Sequence, residues 1–153
     1  MLAAGWTLGS IACSGMSHRG GTIIGAGPVF SLAGPVGLFL AGPAHSGAVA
    51  AVAAVGAALL LLGWGIGMAW PHLLTLVLRL TPEADQDLAG SSVTTIQLAA
   101  TAFGSALAGT IANAIGFSGG EGAGGLSGTA RWMFGLFALA PLAAVVTARR
   151  VGR

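Results

Sequence analysis

The chain has 153 residues, 55% of them hydrophobic and 7% charged, with a net charge of +2 and a mean hydropathy of +0.89. A soluble domain carries about 25% charged residues, so this chain has too little polar surface to cover a water-soluble globule. All six basic residues are arginines and they form no stripe, which excludes a nucleic-acid interface.

A helix needs about 20 apolar residues to cross the ~30 Å hydrocarbon core of a bilayer. By that measure the sequence predicts an all-α integral membrane protein, a single helical domain over 1–153 with about five segments at 2–16, 22–41, 48–78, 90–116 and 131–148. The first run, Leu2 to Met16, is short for a complete span and reads as the inner part of a helix that is longer in complete relatives. Gly5 and Gly9 give it a face for close helix contact. Cys13 lies in this run as a small buried hydrophobe, and a lone cysteine excludes an internal disulfide.

Ser17-His18-Arg19-Gly20-Gly21 is a tight polar turn. The second segment contains Pro28 and Pro35, each of which removes a backbone donor and bends the helix. After the turn 42–47 the third segment is longer than a straight span requires, so a tilted or broken helix is expected. Its Gly56, Gly63, Gly67 and Pro71 fall on one face on which another helix can approach closely.

The only acidic run, Thr81 to Asp87, separates the third segment from the fourth, which opens at Gly90. Within the fourth, Thr94, Gln97, Thr101, Gly104 or Ser105, and Ala108 recur at three- and four-residue steps, while Ile96, Phe103, Leu107 and Ile111 lie opposite. One face is polar and small and the other fatty, as when one side meets a bundle interior and the other meets lipid. Gly104 and Ala108 also suit close helix contact. The glycine-rich stretch 117–129 reads as an exposed loop, and the fifth segment is bent at Pro141.

Three features together resemble the carboxy-terminal half of a major facilitator superfamily permease, in its drug:proton antiporter branch. They are the glycine-rich helix Gly63-x-Gly65-x-Gly67-x-x-x-Pro71, the loop Arg79-Leu80-Thr81-Pro82-Glu83, and the following helix that opens Gly90-Ser91-Ser92 and continues to Gln97 and Gly104-x-x-x-Ala108-Gly109. In position, Arg19 and Gly21 resemble remnants of that superfamily's second Gly-x-x-x-Asp-Arg-x-Gly-Arg loop, with the aspartate missing. The resemblance implies that Arg19 and Arg79 are cytoplasmic loop residues, and that the five segments correspond to the last five of a twelve-helix carrier.

If the loops at Arg19 and Arg79 and the tail are cytoplasmic, five of the six arginines lie inside. The amino terminus is then outside, in a multi-pass protein of the bacterial inner membrane. No acid falls within an expected span, and proton-coupled carriers rely on an intramembrane carboxylate or histidine. In this branch the essential acids lie mainly in the amino-terminal half.

The substrate-cavity candidates are therefore Gln97, Thr94, Thr101 and His72. For His72, packing or interfacial placement of the ring competes with a proton or substrate role. His18, His45 and His72 share no metal-binding spacing, no catalytic constellation stands out, and neither a metal, a cofactor nor an enzymatic activity is expected. The functional expectation is one part of a proton-coupled multidrug efflux permease, inactive alone and taking small-molecule substrate and proton only when completed by an amino-terminal half. The alternative is a small non-transporting membrane subunit whose glycine faces dock onto a partner chain.

Overall fold

The computed structural model describes residues 1–41, 49–114 and 122–151. Among these the chain is helical, in the order α1 (Leu2–Ser14), a 3-10 turn (Ser17–Arg19), α2 (Gly20–Ala41), α3 (Val49–Leu80), a second 3-10 turn (Glu83–Asp85), α4 (Gln86–Ala114), α5 (Gly122–Phe137) and α6 (Leu139–Val151). Four stretches are long and apolar enough to cross a bilayer: Gly20–Leu40, Val49–Leu80, Glu83–Ala114 and Gly128–Arg149. The molecule is an all-α membrane protein. Its first apolar helix, α1, has 13 residues and falls short of that length.

The core forms around α3, which α1 and α2 cover on two different sides. In a bilayer the lipid tails are as apolar as the side chains, so helices associate through close packing rather than hydrophobic burial. Glycines provide it here. A methyl group added at Gly63 would fall on the Leu2 carbonyl and one at Gly67 on the Trp6 carbonyl, while one at Gly5 would fall on the Leu60 carbonyl. One at Gly9 would crowd the Trp64 carbonyl somewhat less closely. Backbones this close leave no room for any side chain. Gly56 lies further up this face, beside the Met1 side chain.

Gly65 sits between Gly63 and Gly67 in sequence, but two residues along a helix turn it 200° away from them. It meets α2 instead, where Gly27 and Ser31 approach it, and Gly34 and Gly37 extend that contact along Leu62 and Ala58. The triplet Gly63-x-Gly65-x-Gly67 thus seats two neighbours at once. Cys13, Ile23 and Met68, one residue from each helix, form the buried cluster where α1, α2 and α3 meet, with Met16, Ala26 and Trp64 packed around it.

Prolines lie inside both the third and the last segment, and only the last departs from the expectation. The third segment, expected over 48–78, runs through Pro71 as α3 and ends at Leu80. Its later turns carry Thr75, whose hydroxyl donates to the Pro71 carbonyl at 2.8 Å, and Gln86 Nε2 donates to the Leu78 carbonyl at 3.2 Å, capping the helix end. In the last segment the interruption falls at Ala138, between α5 and α6, rather than at Pro141 itself. Proline has no N–H to give the carbonyl four residues earlier, which here is Phe137, so the ladder breaks one turn upstream of the ring.

Two boundaries also differ. Helix α4 begins at Gln86 rather than Gly90, because the acids Glu83, Asp85 and Asp87 sit in the turn and first helical residues, where the N-terminal end of the helix dipole favours negative charge. Helix α5 begins at Gly122, inside the stretch expected to be a loop. A backbone entering an apolar medium must satisfy its own hydrogen bonds, and that requirement overrides the low helix propensity of glycine.

Candidate functional site

Helix α4 has no buried residue, and each of its candidate polar residues is exposed. Thr94, Gln97 and Thr101 share one face by their steps of three and four. The hydroxyls on this face turn back onto their own helix: Thr94 donates to the Gly90 carbonyl at 3.4 Å, Thr101 to the Gln97 carbonyl at 2.8 Å and Ser105 to the Thr101 carbonyl at 2.8 Å. Their protons are engaged but their oxygens still accept. The Gln97 amide brings both a donor pair and an acceptor, making it the most versatile group on the face.

Gly104 and Gly109 both face open space, and Ala108 is half-buried. The opposite side carries Ile96 and Phe103, 68% and 78% exposed. The two sides of α4 therefore differ in chemistry as the sequence spacing requires, while neither is covered by another described helix. An amide left in hydrocarbon without a partner costs several kcal/mol. The polar face is built to meet either water or another protein surface.

His72 is placed quite differently. It is buried in α3, and its ring lies between the end of α1 and the start of α2. Nε2 donates to the Cys13 carbonyl at 3.0 Å. A carbonyl can only accept, so the chemistry assigns a proton to Nε2. Nδ1 faces Gly20, where a methyl group would lie 3.6 Å away. Cys13 is in the last turn of α1, whose carbonyls lack helical donors; the Met16 amide at 3.1 Å and His72 together satisfy this one. His72 thus joins three helices and has no described contact with the α4 face that carries Gln97, Thr94 and Thr101.

Arg19 is exposed in the turn before α2, and Arg79 is exposed in the last turn of α3. The His72–Cys13 bond ties α3 to the α1–α2 turn one helical stretch before Leu80, so both arginines lie toward the same end of the bundle. Pro71 is half-buried beside these contacts. His18 is exposed, His45 lies outside the described residues, and no group of three potential metal ligands occurs among the described residues.

Two cavities occur near the last segment. One, of about 480 Å³, is lined by Phe39, Arg131, Trp132, Gly135, Leu136 and Leu139. The other, of about 420 Å³, lies between α2, α3 and the α5–α6 break, and includes Ser31, Trp70 and Phe137. Neither is lined by an α4 residue. The role of Ser31 was not legible in the sequence, where one serine among apolar residues carries no periodic signal. Gln86 escaped notice for a similar reason, since its partners belong to the preceding helix.

Comparison with known proteins agrees with the membrane reading. The chain is 32% identical over 115 residues, 73% of its length, to the probable multidrug-efflux transporter MT1670 of Mycobacterium tuberculosis strain CDC 1551 / Oshkosh. It is similar to the same extent to the probable multidrug-efflux transporter Rv1634 of M. tuberculosis strain H37Rv. The chain spans about a quarter of the length of these relatives, 24% in each case. No protein-family model matches the chain, and no solved structure matches it.

Proposed function

We propose that this chain is one portion of a proton-coupled multidrug efflux permease of the major facilitator type, set in a bacterial plasma membrane with its amino terminus outside. It is a carrier component and not an enzyme. The observation that carries the reading is the α4 face: Thr94, Gln97 and Thr101 form a polar stripe on a membrane-length helix that no other described helix covers. Such a stripe suits the wall of a water-filled substrate path, and carriers of this type place their site between two bundles that rock about it. The distant likeness to two probable multidrug-efflux transporters supports the substrate class, and the motifs around Gly63, Arg79 and Gly90 support the carboxy-terminal placement.

A single wall does not alternate access, and Glu83, Asp85 and Asp87 sit at the very start of the α4 span rather than deep in the membrane, where a carboxylate would couple proton movement. Efflux of a fluorescent cationic dye from proteoliposomes holding this chain alone should therefore be absent, and should appear on co-reconstitution with a matching amino-terminal portion. Proton-driven efflux by the chain alone would refute the reading. The alternative, a non-transporting subunit docking through its glycine faces, has less surface to offer on α1 and α3, where Gly5, Gly9, Gly63 and Gly67 pack against the backbones of Leu60, Trp64, Leu2 and Trp6 of this chain.

A further inference from the structure

We propose that the groove between the end of α2 and the α5–α6 segment binds one anionic phospholipid, its phosphate on the Arg131 guanidinium and the upper part of one acyl chain along Phe39, Leu136 and Leu139. The cavity there is about 480 Å³, and Arg131 is its one charged side chain among the described residues. Arg131 lies near the start of the apolar stretch Gly128–Arg149, and Phe39 lies near the end of α2 at Ala41. The two helix ends meet, since a methyl group added at Gly135 would lie 3.5 Å from the Phe39 ring. The cation therefore sits at one edge of the apolar layer.

Depth and charge agree on the occupant. From Arg131 to Leu136 the helix runs about 7.5 Å deeper, at ~1.5 Å per residue, and Leu139 follows beyond the break at Ala138. The groove thus changes from cationic to apolar from the membrane edge inward, which is the order of a lipid from phosphate to chain. A guanidinium matches a phosphate with paired N–H donors, and basic pockets between membrane helices hold anionic head groups. Trp132, next in the chain and 69% exposed, suits the head-group boundary. The helices that form the groove, α2, α5 and α6, contain no Asp or Glu. The choline of a zwitterionic lipid would find no carboxylate there and would meet the like charge of Arg131, whereas a net-negative lipid brings no cation to place. A small soluble anion would leave the apolar end unused. The α4 face takes no part, and the site does not depend on the chain being a transporter.

The test uses the whole chain in phosphatidylcholine nanodiscs and contact quenching of Trp132 fluorescence, read as the difference between wild type and Trp132→Phe. The probes are phosphatidylglycerol and phosphatidylcholine, each dibrominated near the head of one acyl chain and added at increasing fractions. Brominated phosphatidylglycerol should reach half-maximal quenching at about fivefold lower fraction than brominated phosphatidylcholine, the worth of one arginine at a lipid surface. Unlabelled phosphatidylglycerol should reverse the quenching, and inorganic phosphate should not. Arg131→Gln should bring the two curves together. Arg149→Gln, which removes the same charge at the far end of the Gly128–Arg149 stretch, should keep them apart. Filling the groove with Gly135→Phe should weaken quenching by both lipids. Equal curves for the two lipids on the wild-type chain would overturn the proposal, as would reversal by inorganic phosphate, which would mean a site for free anions. A preference for phosphatidylglycerol that survives in Arg131→Gln would overturn the location. If Gly135→Phe does not fold, the contrast between Arg131→Gln and Arg149→Gln still decides.

Discussion

The Ser10 hydroxyl donates to the Gly67 carbonyl at 3.0 Å, across the α1–α3 contact. Gly67 is four residues before Pro71, so it is the carbonyl that the proline deprives of its helical donor. A side chain from a neighbouring helix replaces the missing backbone N–H, and α3 runs on unbroken to Leu80. The glycine allows α1 close enough for a hydroxyl to reach.

This relationship predicts a coupled pair of substitutions. Ser10→Ala should destabilise the chain by about 1 kcal/mol, since it leaves a buried carbonyl unsatisfied. In a Pro71→Ala background the helix regains its own donor, and the same change should cost close to nothing. Thermal or denaturant unfolding of the four variants in detergent micelles closes the cycle; equal losses in both backgrounds would rule out the substitution of one donor for the other.

The glycines predict a contrast between identical changes. Gly67→Ala places a methyl group on the Trp6 carbonyl and should cost about 1–3 kcal/mol, the range for overpacking. Gly104→Ala enters open space in α4 and should be neutral or slightly stabilising through better helix propensity. Comparable unfolding midpoints for the two would contradict the packing described for α1 and α3.

Gln97 separates stability from function. On the isolated chain Gln97→Leu should change unfolding by less than about 0.5 kcal/mol, because the residue is exposed and joins no other helix through its side chain. In the chain joined to a matching amino-terminal portion, the same change should lower efflux. Unaltered efflux at normal expression would remove Gln97 from the substrate path.

Topology gives a fourth expectation. Reporters placed within 115–121 and after residue 153 should report opposite sides of the membrane, with the second cytoplasmic. Finding both on one side would mean that the Gly128–Arg149 stretch, interrupted at Ala138, does not cross.

The sequence alone determined that the chain is a helical membrane protein and where most of its helices run, because the length and hydropathy of a span are local quantities that need no neighbour. It also determined that Gly63 and Gly67 share a face, and that Thr94, Gln97 and Thr101 share another, since helical spacing settles both. Only the tertiary structure decided which helix meets which face: α1 on Gly63 and Gly67, α2 on Gly65, and no described helix on the α4 stripe. Glycine spacing permits close approach without naming the partner. The same limit applies at single residues. A proline announces that a carbonyl has lost its donor, but that Ser10 supplies the replacement at Gly67, or that His72 closes the last turn of α1 at Cys13, depends on residues 57 and 59 positions apart in sequence. Such bonds follow from how helices are stacked, and the apolar pattern that fixes each helix contains no record of the stacking.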